Sequence, residues 1–320
     1  MKICVTGSTG FIGKPLCIKL LKNNYSVLAT TRYSNTLTFN FHKNLSIIKL
    51  DNFNSKINLQ QALSGIDCVI HCAAKAHAIN KNKSDILKAY REVNVEVTRN
   101  LAEQAADAGV KRFVFLSSIK VNGERTFASE FFNHNDVPLP EDAYGVSKFE
   151  AEQMLSELSK RTGLEVVIIR APLVYGEGVK GNFLYLLDFL YRGIPLPFAS
   201  VVNLRSFIGL DNLIDFIIFC IKHPKAGGKT FLVSDGQDIS TPDLIRKLAG
   251  AIGKSSHLFP IPLSLIKLMG RLTGKSLEVA RLVNSLRVDS SYAREVLGWS
   301  PSFNLDEGLE KTVKWYLQNR

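Results

Sequence analysis

Short β-rich runs alternate with helical periodicities through the first half of the chain. Ile3–Thr6 is predicted as a strand, and Phe11–Asn23 as a helix with Leu16 and Leu20 on one face. Further strands are predicted at Ser26–Thr30, Ser46–Leu50 and Asp67–Ala73. The last is a continuous apolar run, as a parallel strand covered on both faces requires. A helix over Asp85–Ala108 sets Val93, Val97, Leu101, Ala105 and Ala108 on one stripe and stops at Gly109. Lys111–Ser117 is a fifth strand, Tyr144–Thr162 a second long helix ended by Gly163, and Glu165–Ala171 a sixth strand. Such alternation specifies an α/β architecture built on an open, doubly wound parallel sheet. After Pro172 the pattern changes, with Pro, Gly and aromatic residues denser, as in Gly193-Ile194-Pro195-Leu196-Pro197-Phe198. The expected division is a doubly wound domain over residues 1–172, with a return segment near 205–222. A smaller lobe over 173–320 would pack against the carboxyl ends of its strands.

Composition narrows the class. With 320 residues, 46% hydrophobic and 22% charged, the chain can bury a core without disulfides or metal. Apolar stretches such as Leu213–Ile221 are broken by Asp or Lys well before the ~20 residues that a membrane span needs. A cytoplasmic location is expected, because the first glycine cluster follows Met1-Lys2-Ile3-Cys4-Val5-Thr6 and leaves no room for a secretion-signal core. The net charge of +11 comes from scattered lysines, and no basic run exceeds two residues, so a nucleic-acid partner is not expected. Five cysteines, Cys4, Cys17, Cys68, Cys72 and Cys220, have no His/Cys partner set and are expected as reduced thiols without a metal.

Four motifs carry chemistry. Thr6-Gly7-Ser8-Thr9-Gly10-Phe11-Ile12-Gly13 puts three glycines directly after a strand and at the opening of a helix. There, glycine permits a tight turn, a close backbone approach to a pyrophosphate and tight helix–strand contact, and the helix N-terminus offers free N–H groups. A Walker loop is excluded, since Gly13-Lys14 is followed by Pro15. At the end of the second strand, Thr30-Thr31-Arg32-Tyr33 has no carboxylate for a ribose diol, and Arg32 can pair with a 2′-phosphate, which favours NADP over NAD. Tyr144-Gly145-Val146-Ser147-Lys148 places a phenol and an ammonium on one helical face, where the cation is expected to make the phenol more acidic. Ser118, at the end of the fifth strand, faces the ligand crevice of such a sheet.

Together these residues make the chain resemble the extended short-chain dehydrogenase/reductases, an NAD(P)-dependent family of sugar-nucleotide epimerases, dehydratases and reductases with a Rossmann-type doubly wound sheet. The resemblance runs through His71-Cys72-Ala73-Ala74, Asn94, Ser117-Ser118, Arg170-Ala171-Pro172-Leu173-Val174-Tyr175-Gly176 and Arg205-Ser206-Phe207-Ile208 to Leu297-Gly298-Trp299-Ser300-Pro301. It implies that Gly7, Gly10, Phe11, Ile12, Gly13, Arg32, Asp51 and Ala73 hold the cofactor, with Asp51 receiving the adenine amino group. Tyr144 would exchange the proton, Lys148 would tune it and bind the nicotinamide ribose, and Ser118 would hydrogen-bond the reacting oxygen. Asn182 and Arg205 would contact the diphosphate of a UDP-sugar, with either Arg281 or Arg287 as a second arginine. A homodimer is implied as well.

One departure stands out: Ser-Ser-Ile-Lys-Val-Asn-Gly carries Asn122 where the family commonly has tyrosine. With the missing carboxylate after strand two, it points to an NADP(H)-dependent reduction of the C4 ketone of a UDP-2-acetamido-2,6-dideoxy-hexulose in surface-polysaccharide synthesis. The alternative is a UDP-glucose or UDP-N-acetylglucosamine 4-epimerase with tightly bound NAD.

Overall fold

A computed structural model describes residues 1–32, 42–50, 54–76, 83–127 and 129–320. Seven parallel strands form the central sheet: β1 (Lys2–Thr6), β2 (Ser26–Thr31), β3 (Leu45–Lys49), β4 (Cys68–His71), β5 (Arg112–Ser118), β6 (Glu165–Ala171) and, beyond a further pair, β9 (Lys229–Leu232). The strand order is β3-β2-β1-β4-β5-β6-β9, so the chain reverses direction across the sheet between β1 and β4. A crevice opens at the carboxyl ends of strands at such a switch point. The intervening pair, β7 (Leu173–Tyr175) and β8 (Phe207–Gly209), makes a small parallel sheet of its own.

Successive side chains on a strand point to opposite faces, and the sequence uses both. Ile3 and Val5 of β1, with Val167 and Ile169 of β6, join a cluster with α1 (Gly13–Lys22) and α7 (Leu210–Lys222). Cys4, Val166 and Ile168 point the other way, against α4 (Thr98–Asp107) and α5 (Ala143–Thr162), where Leu101, Ala105, Leu155 and Leu158 are buried. Before these come α2 (Gln60–Leu63) and α3 (Lys83–Arg91). A third cluster joins α6 (Asn182–Tyr191), α8 (Thr241–Ile252) and α12 (Leu305–Gln318) around Tyr175 and Phe207. The remaining helices are α9 (Leu263–Leu272), α10 (Ser276–Val283) and α11 (Ser291–Leu297). No helix of the described residues is long and apolar enough to cross a membrane.

Two features depart from the sequence pattern. Residues after 172 return twice to the central sheet: α7 covers one face within the return segment expected near 205–222, whereas β9, which extends the sheet beyond β6, was not expected. Arg112 locks α7 in place, donating from Nη1 to the carbonyls of Cys220, Ile221 and His223 at 2.8, 3.0 and 2.9 Å while its other nitrogens hold Glu165. A guanidinium at a helix C-terminus satisfies orphaned carbonyls and the negative end of the dipole. The helix expected over Asp85–Ala108 is also not uniform, because Glu92–Val97 forms one π-helical segment between α3 and α4. Such segments are rare and recur at functional sites; this one contains Asn94.

Candidate active site

The glycine turn is fixed by sterics. Gly7 has φ +69°, and a Cβ there would lie 2.7 Å from the Ala73 amide nitrogen at the end of β4. A Cβ on Gly13 would fall 2.2 Å from the Gly7 carbonyl oxygen, so strand and helix approach too closely for any side chain. Gly10 N donates to Gly7 O at 2.9 Å, and Ser8 Oγ donates to Thr30 O at 2.8 Å, tying the turn to β2. A cleft of about 700 Å³ opens over this turn, lined by Gly7, Gly10, Phe11, Arg32, Leu50 and Ala73 among others. That volume lies within the ~300–1,000 Å³ of small-molecule and cofactor sites. Its glycine cradle and the amino end of α1 fit a dinucleotide pyrophosphate. Ile12 caps α1 with its backbone. Arg32 stands exposed at the cleft rim and is not without a partner. Asp51 lies outside the described residues.

The Ser, Tyr and Lys of the sequence motifs come from β5 and α5, and none of the three is among the residues lining that cleft. Ser118 is the last residue of β5, paired with Ala171, and its Oγ accepts from Lys120 N at 3.3 Å. Asp142 caps α5 by accepting from Gly145 N at 2.7 Å, which sets Tyr144 in the first helical turn and Lys148 one turn on. Tyr144 is half-buried, edge-on to Tyr90 with ring centroids 5.8 Å apart. Lys148 is buried, its Nζ 4.1 Å from the centre of the Phe115 ring. No hydrogen bond from the Tyr144 hydroxyl or from Lys148 Nζ is found among the described residues.

The electrostatics correct the expectation of an acidified phenol. Burial, reinforced by Asp142 and Tyr90, pushes the Tyr144 hydroxyl above its ordinary value. Burial pulls Lys148 down to about 7, against the opposing pull of Glu152 and Cys72. Desolvation disfavours the charged form of both groups and here outweighs their proximity on the helix. For this group the unfolded chain holds the extra proton from about pH 7, so Lys148 contributes a stability that rises with pH. Above about pH 9 this is opposed by the thiols of Cys4, Cys17, Cys68, Cys72 and Cys220, which burial keeps protonated in the fold. Lys148→Met is expected to stabilise the protein by roughly 2–4 kcal/mol near neutral pH and to flatten this rise, as denaturant titrations at several pH values would show. An unchanged slope would contradict the assignment.

A buried hydrogen-bond chain holds the back of the site. Thr98 Oγ1 donates to Asn94 O at 2.8 Å, so His71 Nε2, at 3.0 Å, must be the donor to Thr98. His71 Nδ1 then accepts from Thr6 Oγ1 at 2.6 Å, and burial holds this imidazole neutral, near a pKa of about 3. Asn94 Nδ2 donates to Lys75 O and to Ser147 Oγ, while its Oδ1 accepts from Lys75 N. Ser147 Oγ donates to Tyr144 O at 2.8 Å, so the chain runs from the glycine strand to the first turn of α5. His77 lies outside the described residues.

The substrate side is only partly assembled. Arg205 bridges to Ile239 and Leu286 through its backbone, and its Nη1 donates to Asn284 O at 2.9 Å. Burial lowers Arg205 to about 10, with the charge of Glu124 raising it and that of Arg281 lowering it. Arg281 also lies 3.8 Å from Asp142. Arg287 is otherwise engaged, its Nε 2.7 Å from Asp238 and its guanidinium 3.7 Å above the Phe131 ring. Asn182 stands exposed at the start of α6, whereas its neighbour Lys180 lines the dinucleotide cleft.

Sequence reasoning missed two buried groups. Glu152, one turn beyond Lys148, receives two nitrogens of Arg170 and the Ser117 hydroxyl. Arg170 Nη1 donates to Asn122 Oδ1 at 2.9 Å, and Asn122 Nδ2 donates to Asn133 O at 3.1 Å. Asp235 accepts from Tyr175, Gly209 and Asn212, tying the small sheet to α7. The signal for Glu152 was its i+4 spacing from Lys148; nothing local marks Asp235. The five cysteines are free thiols, and no group of three or more metal-ligating side chains occurs among the described residues.

A doubly wound parallel sheet with a glycine turn between β1 and the amino end of α1 defines a dinucleotide-binding architecture. Residues 3–234 match the model of the NAD dependent epimerase/dehydratase family, and the chain belongs to that family. It is 46% identical to a UDP-glucose 4-epimerase of Vibrio cholerae, over 99% of this chain and 95% of that one. It is 26% identical to the N-acetyl-alpha-D-glucosaminyl-diphospho-ditrans,octacis-undecaprenol 4-epimerase of Escherichia coli O157:H7, over 98% and 94% of the two chains. Among solved structures, UDP-glucuronic acid 4-epimerase from Bacillus cereus in complex with UDP-glucuronic acid and NAD superposes with a TM-score of 0.82, at 24% identity and full coverage of both chains. MoeE5 in complex with UDP-glucose and NAD gives 0.79 at 24% identity, covering 100% and 99%. These neighbours hold NAD, so the expectation of NADP finds no support in them.

Proposed function

We propose that this protein is a UDP-hexose 4-epimerase, acting on UDP-glucose or UDP-N-acetylglucosamine, that retains NAD through its catalytic cycle. The observation that carries this reading is the end-to-end 46% identity to the Vibrio cholerae epimerase. The ketoreductase expectation, the first reading of the sequence, rested on Asn122 and on the missing carboxylate after strand two; Asn122 is buried and both ends of its amide are spent on Arg170 and Asn133. It shapes the loop behind the site and does not distinguish the two reactions.

Gly7, Gly10, Gly13 and Ala73 would hold the pyrophosphate and the adjoining ribose of NAD, with Phe11 and Ile12 presenting the helix terminus. When bound, NAD supplies a reversible hydride acceptor at C4 of the sugar. Tyr144 as phenolate would take the proton from O4 on oxidation and return it on reduction, while Ser118 Oγ hydrogen-bonds the same oxygen. That phenolate requires the positive charge of Lys148 and of oxidised NAD to outweigh the burial that raises the phenol's pKa. Lys148 contributes positive charge to the phenolate form of Tyr144. Arg205 and Arg281 hold the diphosphate, so that binding energy remote from C4 fixes the reacting geometry. Repulsion between these two arginines is relieved when the anion enters.

The test is cofactor dependence. The purified protein is expected to carry NAD and to interconvert UDP-glucose and UDP-galactose, or the N-acetylated pair, with none added. A requirement for added NADPH together with a UDP-4-keto sugar would restore the reductase reading.

A further inference from the structure

Helices α9 and α10 form a hairpin whose outer surface runs against the usual pattern. In α9 only Ile266 and Gly270 are fully buried, and Gly270 lets α10 approach so closely that a Cβ would meet Val279 at 2.9 Å. Leu265, Leu268, Met269 and Leu272 recur at i, i+3, i+4 and i+7 on the outward face. Leu272 is 79% exposed and Leu277 of α10 is 65% exposed. Scattered surface leucines need no explanation, but a contiguous apolar stripe on one element does.

The charges of the hairpin are mostly of one sign. From Leu263 to Val283 it carries Lys267, Arg271 and Lys275 against the single carboxylate of Glu278, with Arg281 turned toward Asp142. Lys267 and Arg271 also line, with Arg125 and Asn284, a cavity of about 240 Å³ at the hairpin's base. A second copy docked face to face would set these cations against their own duplicates. A nucleic acid would satisfy the cations and leave the leucines in water. An anionic lipid surface satisfies both, since leucine and methionine enter the acyl boundary while lysine and arginine remain among the phosphates.

We propose that the α9–α10 hairpin docks this enzyme peripherally on an anionic phospholipid bilayer. The hairpin lies on the surface and does not span it. It carries Arg281 and runs into Asn284, the acceptor for Arg205, so docking brings the mouth of the diphosphate cleft to the headgroup level. This inference does not depend on which sugar is epimerised.

Vesicle flotation tests it with the full chain. The protein is expected to float with phosphatidylglycerol-containing vesicles and not with pure phosphatidylcholine, and to be released when ionic strength rises from about 0.1 M toward 1 M. A Leu268→Ser/Leu272→Ser/Leu277→Ser variant should lose at least about fivefold of the bound fraction, as should Lys267→Glu/Arg271→Glu. Circular dichroism and thermal midpoint, read alongside, should match the parent. Failure of the parent to float, floating that the leucine variant leaves intact, or a solution dimer that the leucine variant dissociates would each overturn the proposal. The last would identify the stripe as a self-association surface.

Discussion

Tyr144→Phe is expected to lower turnover about 10³-fold while leaving bound NAD and thermal stability unchanged. The size follows from general acid–base catalysis, which contributes roughly 10²–10⁴ when a positioned side chain moves the proton. The selectivity follows from the structure. No hydrogen bond from the phenol is found among the described residues, so its removal leaves no orphaned partner, and the ring keeps its edge contact with Tyr90. The effect should fall on kcat, with KM for the UDP-sugar moved little, if Arg205 and Arg281 hold the other end of the substrate as proposed. Steady-state kinetics with nucleotide content measured on the same sample decide it. A variant that keeps most of its activity would remove Tyr144 from the chemistry.

The largest stability effect is expected at Glu152→Ala. Glu152 and Arg170 form an ion pair, 2.6 Å between Nη2 and Oε2, with side chains only 5% and 6% exposed. Removing the carboxylate leaves a buried guanidinium with Asn122 as its one remaining side-chain partner among the described residues, and strands the Ser117 hydroxyl. Breaking a buried pair in this way costs about 3–5 kcal/mol, most of it the desolvation of the charge left behind. Chemical denaturation should show a loss of that order, with a smaller one for Glu152→Gln, whose amide oxygen can still accept from Arg170. A loss below about 1 kcal/mol would mean that water reaches Arg170 and solvates it.

Much of the fold was legible locally. The boundaries of β6 coincide with the apolar run Glu165–Ala171, and α5 ends at Gly163 in the left-handed conformation that glycine adopts without penalty. Trouble began wherever an element's partner is distant in the chain. β9 joins the central sheet with Phe231 packed beside Phe216 of α7, the helix of the expected return segment, whose end Arg112 reaches. Neither contact leaves a periodicity that a short window could detect. The π segment at Glu92–Val97 reads as ordinary helix, since its offset arises where Asn94 is tied to Lys75 and Ser147.

The candidate site divides in the same way. Arg287 is engaged by Asp238 and Phe131 while Arg281 lies 3.8 Å from Asp142, surroundings that no spacing reveals. The sign of the Tyr144 perturbation also came out opposite to the local expectation, because proximity can be read from a four-residue spacing and burial cannot.

By itself, then, the chain determined its strand–helix alternation, the glycine turn and the order in which Ser118, Tyr144 and Lys148 appear. These follow from backbone sterics and side-chain period, which act over a few residues. Tertiary structure alone decided how dry Lys148 is, which arginines remain to meet a diphosphate, and that the leucines of α9 face outward. Solvation and long-range pairing are properties of the space around a residue, and that space exists only once the chain has folded.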